Sequence, residues 1–180
     1  MSEPIDLKSL VLPEDWTPDR IEAEARRIYF DDLVPLPPVV PACLWLETKA
    51  IIVAPTEGGF RKIFGETEGW AGYSHSKTGQ LSIARMRRAP WIKPVLELRV
   101  PKTKVYVNQH TLGPREFRPG VKPKKNRIFV TTGIDLLYFI SLVHVDDKTL
   151  ALATAFEPDG QWLRETLKKS GTSLLGPPFP

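Results

Sequence analysis

A single cysteine, Cys43, among 180 residues rules out an internal disulfide, so the fold has to be held by its core. No Cys/His cluster has the spacing of a zinc site. Cys43 sits among Pro41, Ala42, Leu44 and Trp45 with no histidine near it in sequence, and reads as a packed thiol rather than a nucleophile. Neither Gly-x-x-x-x-Gly-Lys-Ser/Thr nor Gly-x-Gly-x-x-Gly occurs, so the common glycine-rich phosphate cradles are excluded. No run of about 20 apolar residues exists, and no membrane partner is expected. A basic region followed by an apolar core is missing from the first residues, so no secretory leader is expected either. A reducing, cytoplasmic setting follows as the expectation, in the cell that makes the protein or in a target cell.

Carboxylates are scarce in one third of the chain. Residues 61–128 hold 16 Lys/Arg and 4 Asp/Glu, a net of +12, whereas residues 1–60 hold 5 and 11 and residues 129–180 hold 4 and 6. A middle third this basic, between acidic flanks, suggests a face for a polyanion, and nucleic acid is the commonest such partner. The alternative is that charges segregated in sequence mix on the folded surface. So few acids also make a carboxylate metal cluster hard to assemble there. No metal and no cofactor are therefore expected.

What is present reads as one α+β domain: N-terminal helices, a central antiparallel β-sheet and a closing C-terminal helix. Residues 1–16 look like an arm broken by Pro4 and Pro13. Thr17-Pro18-Asp19 opens a helix, with Thr17 as N-cap, and Ile21, Ala25, Ile28 and Tyr29 form one apolar stripe. A proline-rich connector follows, so residues 1–49 are set apart from an α+β unit over 50–171, and residues 172–180 are expected to be tail. Residues 56–65 should form a helical turn with Phe60, Ile63 and Phe64 inward. The glycine-rich stretch 65–79 reads as loop, and 113–125 as a long basic loop. Ser82 can cap a helix over 83–88 that Pro90 stops, with a second turn from Trp91 on. Extended segments are expected at 104–108 and 127–131. The apolar run 136–145 should be a central strand covered on both faces, paired with 149–156 in a hairpin. A helix over 161–169 closes the chain.

Candidate chemistry gathers in residues 72–96. His75 lies in the glycine-rich stretch with a hydroxyl on each side and Lys77 two residues on. Histidine moves protons near neutral pH, and a neighbouring cation keeps its neutral, basic form available. Lys77, Arg85 and Arg88 can stabilise charge on a phosphorane, and Arg87, Lys93, Arg115, Lys122, Lys124 and Lys125 can hold backbone phosphates. Trp91 can stack on a base. His110, in Asn-Gln-His-Thr, is a second candidate for substrate contact. Thr154 is expected to share a face with Leu150, Leu152 and Phe156, where its hydroxyl needs a partner or points into a cleft. The plain alternative for 72–96 is a surface loop leading into a helix with a solvated basic face.

The loop histidine, the Arg-rich helix ending in Ala-Pro-Trp-Ile and the late strand Thr149 to Phe156 resemble the RNase superfamily that groups barnase, EndoU-type enzymes, colicin D and RelE, in particular its phage-borne and polymorphic-toxin members. The resemblance spans roughly residues 50–170. It implies a small α+β fold and a metal-independent endoribonuclease acting by 2′-hydroxyl transesterification. By that likeness His75 matches the catalytic histidine, Lys77 a neighbouring basic group, and Thr154-x-Phe156 a hydroxyl-x-aromatic pair. Lys77 follows the histidine, whereas colicin D-like sites place lysines before it. RNA, tRNA included, is the implied substrate, and an antitoxin or immunity protein the implied partner. A non-catalytic module binding nucleic acid or a partner protein with the same fold is the other reading.

Overall fold

The computed structural model describes residues 5–34, 50–67, 77–97, 99–108, 127–132, 138–144, 149–169 and 172–174. Its first helix, α1 (Pro18–Arg27), starts as its sequence dictates. The Thr17 hydroxyl accepts from the Arg20 amide and Pro18 stands in the first turn, where its missing N–H costs nothing. Ile28–Leu33 then widens into a π-helical turn, closed by the Val34 amide donating to Tyr29 C=O. The apolar stripe is buried as its spacing requires: Ile21, Ala25, Ile28 and Tyr29 all lie in the core.

α2 (Glu57–Phe64) is capped by the Thr56 hydroxyl and buries Phe60, Ile63 and Phe64. Phe60 and Phe64 meet the Tyr29 ring of the π-helical turn edge-on, and the Tyr29 hydroxyl donates to Ala54 C=O, just ahead of α2, at 2.6 Å. Gly59 permits that approach. A Cβ there would come within 2.5 Å of the Tyr29 hydroxyl and 2.6 Å of Ala54 C=O, whereas one at Gly58 would meet only the Thr56 hydroxyl at 3.8 Å. Both replacements by alanine gain helix propensity, about 1 kcal/mol. At Gly59 the collision with a backbone carbonyl outweighs it, because overpacking costs about 1–3 kcal/mol. Thermal melts should therefore show Gly59→Ala less stable and Gly58→Ala unchanged or more stable. Equal melting temperatures for the two would remove the close approach.

Six strands form one sheet in the order β1-β7-β6-β5-β4-β8. They are β1 (Ala50–Ile52), β4 (Lys104–Asn108), β5 (Arg127–Thr131), β6 (Phe139–His144), β7 (Thr149–Phe156) and β8 (Thr172–Leu174). All neighbours are antiparallel except β1, which runs parallel to β7 along one edge. The sheet is thus mixed, within an α+β fold. β6 is the covered central strand its apolar run implies. Ile140 and Leu142 point into the large core with α1, α2 and α4 (Ala89–Leu96). Phe139 packs on the other face, with Trp162 and Leu163 of α5 (Gly160–Lys169). Asp159 caps α5 by accepting from the Gln161 and Trp162 amides.

Several expectations are corrected. The first 34 residues do not stand apart: Leu7, in a 3₁₀ turn Leu7–Leu10, and Leu12, Ile21, Ala25 and Leu33 share one core with Ile51, Phe60, Trp91 and Leu142. Residues 172–174 of the expected tail are a strand, paired with β4. The glycine-rich stretch is not all loop, since β2 (Gly65–Thr67) pairs antiparallel with β3 (Lys77–Leu81). Pro90 does not stop a helix. It sits in the first turn of α4, after the short α3 (Ile83–Met86), and a proline at that position initiates rather than terminates. Thr154 does not share a face with Leu150 and Leu152. Ser141 pairs with Thr154 but Leu142 with Leu152, so Ala153 is an extra residue and the face switches there. Leu150, Leu152 and Ala155 point into the large core, while Phe156 packs against Phe139 and Trp162 on the other face, the one Thr154 faces.

Candidate functional site

Four of the described candidates, Arg85, Arg88, Trp91 and Phe156, meet at one corner, where α3 meets α4 beside the end of β7. Ser82 starts the corner: its hydroxyl accepts from the Arg85 amide, and its own amide donates to Phe64 C=O at 2.8 Å. That second bond ties α3 to the base of the β2–β3 ribbon. Arg85 strengthens the same joint by donating to Gly65 C=O at 2.9 Å, with its guanidinium 5.1 Å from the Phe156 ring centroid. Burial of this arginine pushes its pKa down, with nearby Tyr138 and Glu66 opposing the shift. Tyr138 is itself buried, and the same desolvation pushes its phenol well above the ordinary range.

Arg88 begins α4. It donates to Ala84 C=O at 2.9 Å, pairs with Glu157 at 2.5 Å and lies 5.4 Å from the Trp91 ring centroid. Its Nε and the Trp91 indole N–H are buried without a hydrogen-bond partner among the described residues. Trp91 is only 1% exposed and meets Tyr138 edge-on at 5.3 Å. It is therefore a core residue, and the expectation that its ring stacks on a base is corrected: no face of it is open.

Arg87 faces the other way. Its Nε donates to Leu12 C=O at 3.1 Å, and the Leu12 amide donates back to Arg87 C=O at 3.0 Å. These bonds hold the N-terminal arm across the corner. Between arm and corner lies a surface cleft of about 380 Å³. The arm lines it with Lys8, Val11, Leu12, Pro13 and Glu14. The corner contributes Arg87, Arg88 and Trp91, and the end of β7 contributes Glu157.

Comparison with protein-family models, curated protein sequences and solved structures finds no match to this chain.

The remaining candidates are distributed as follows. Lys93 is exposed on α4. Lys77 opens β3, with its backbone opposite Thr67. His75, His110, Arg115, Lys122, Lys124 and Lys125 lie outside the described residues. The structure thus brings Arg85, Arg88 and Phe156 to one corner, with Trp91 beneath. It leaves Lys93 apart from that set. Lys8, Glu14 and Glu157 were not legible as site residues. Lys8 and Glu14 reach the cleft through an arm whose contact with Arg87 spans 75 residues, and no local pattern encodes that. Among the described residues, no helix is long and apolar enough to cross a membrane.

Proposed function

We propose that this chain binds RNA through its basic middle third and cleaves it without a metal ion, with His75 as general acid or base. The observation that carries the reading is the charge segregation, 16 Lys/Arg against 4 Asp/Glu over residues 61–128. In this reading His75 deprotonates the ribose 2′-hydroxyl or protonates the leaving 5′-oxygen, a role worth about 10²–10⁴ in rate. Lys77, two residues on, stabilises the phosphorane. Arg115, Lys122, Lys124 and Lys125 hold the backbone. Arg85 takes a different duty from the one first expected: its bond to Gly65 C=O makes it a positioning residue for the ribbon leading to His75. The likeness to the barnase, EndoU, colicin D and RelE group points the same way, and an inhibitory antitoxin or immunity protein belongs with it.

A second reading, a non-catalytic nucleic-acid-binding module, is favoured by one observation. Arg85 and Arg88, two of the cations assigned to transition-state charge, are engaged with Gly65 C=O and with Glu157. Incubating the purified protein with total RNA in EDTA, over a salt series, separates the two. The proposal expects cleavage in EDTA, with 2′,3′-cyclic phosphate ends and no cutting of RNA blocked at the 2′-oxygen. Binding without cleavage selects the second reading. Both expect affinity to fall steeply with salt as phosphate contacts release counterions, and salt-independent RNA affinity overturns both.

A further inference from the structure

The cleft between the N-terminal arm and the α3–α4 corner holds three cations, Lys8, Arg87 and Arg88, against two carboxylates, Glu14 and Glu157. The two ion pairs across it are unequal. Arg88 and Glu157 are in close contact, 2.5 Å apart, and Arg88 is fixed further by Ala84 C=O. Arg87 meets Glu14 only at 3.5 Å, and the Glu14 side chain is 92% exposed, so water screens that pair and it contributes little. Yet the Arg87 guanidinium is already oriented by its Nε bond to Leu12 C=O. A pre-oriented guanidinium therefore carries, toward solvent, a carboxylate it barely holds. Lys8 lines the same cleft and makes no ion pair among the described residues.

We propose that this cleft is a subsite for a phosphate monoester, the terminal phosphate of an RNA chain or that of a free nucleotide. Arg87 and Lys8 are its anchors, and Glu14 is the carboxylate the phosphate displaces. The proposal deepens the RNA-binding reading and rests on it. A monoester carries about −1.5 to −2 charges near neutral pH, more than the single charge of an internal diester, and so matches better a cleft lined by both Arg87 and Lys8. The planar fork of Arg87 suits two phosphate oxygens at once. The volume of about 380 Å³ lies in the range of small-molecule clefts, roughly 300–1,000 Å³. Val11, Leu12 and Pro13 give it an apolar wall for a sugar or base edge.

The test uses one short 2′-O-methylated oligoribonucleotide, which resists cleavage, with its ends either phosphorylated or hydroxyl, and AMP beside adenosine as competitors. A terminal phosphate should tighten binding about tenfold, the scale of one charge-assisted contact. Arg87→Gln and Lys8→Gln should each erase most of that gain, and Glu14→Gln should enlarge it. Competition by AMP but not by adenosine assigns the site to the phosphate group itself, whatever its source; competition only by phosphorylated oligomer assigns it to chain ends. Because Arg87 also ties down the arm, the exposed Lys8 variant decides if Arg87→Gln unfolds. Equal binding of phosphorylated and hydroxyl ends, with no competition by AMP, overturns the cleft, and salt-sensitive RNA binding in that experiment leaves the RNA reading standing. AMP binding that Lys8→Gln weakens, without any RNA binding, overturns the RNA reading and keeps the cleft.

Discussion

His75→Ala should lower RNA cleavage by about 10²-fold or more while RNA affinity and melting temperature stay near those of the parent protein. The rate loss follows from removing the one group in the glycine-rich stretch able to exchange a proton near pH 7. Retained stability follows from how the neighbouring ribbon is anchored. Gly65 pairs with Leu81, Arg85 donates to Gly65 C=O, and the Ser82 amide donates to Phe64 C=O. None of these bonds involves position 75. Retained affinity follows because binding is spread over many cations and a neutral histidine adds no charge. Cleavage should persist in EDTA for the parent protein. If His75→Ala cuts as fast as the parent, the catalytic group lies elsewhere and His110 is the next residue to replace. If the parent cuts DNA equally well, the 2′-hydroxyl mechanism is wrong even though a nuclease is present.

Leu142→Asp should abolish folding. Leu142 is fully buried on β6, between β5 and β7, and faces the large core. Truncating such a leucine alone costs about 2–5 kcal/mol, and burying an unpaired carboxylate adds several more. The sum reaches the roughly 5–15 kcal/mol that holds a typical domain together. The expected readout is aggregated protein, or soluble protein with no cooperative melt. Ile52→Asp is the contrast: Ile52 lies on the edge strand β1 and is 47% exposed, so that variant should fold and melt cooperatively. A cooperative melt for Leu142→Asp would mean that the centre of the sheet lies elsewhere.

At the candidate site the division between legible and hidden features is clear. Arg85, Arg87 and Arg88 are legible as a basic cluster, yet only Arg85 and Arg88 turn into the corner, while Arg87 turns toward the N-terminal arm. Their partners could not be read, because Gly65 C=O, Leu12 C=O and Glu157 come from three separate parts of the chain. A run of arginines states its charge locally, but whether that charge meets a ligand or a protein carbonyl depends on what packs beside it. Trp91 shows the same limit. An aromatic after a basic helix looks the same in sequence whether it faces a base or Tyr138, and the fold put it against Tyr138.

Local rules by themselves determined the elements whose causes are local. The Thr17-Pro18-Asp19 start of α1 and its 3.6-residue apolar stripe were legible, as were the inward set Phe60, Ile63 and Phe64 and the β6–β7 hairpin. The charge segregation needs no fold at all. Tertiary structure alone decided that the arm shares the main core, that β1 joins β7 in parallel and that β8 extends the edge at β4. It also decided that an extra residue at Ala153 turns Thr154 away from Leu152. Each of these depends on which distant backbone offers a free edge or an apolar surface. A strand's period of two shows that one face is buried, but a bulge resets the period only where the partner strand demands it.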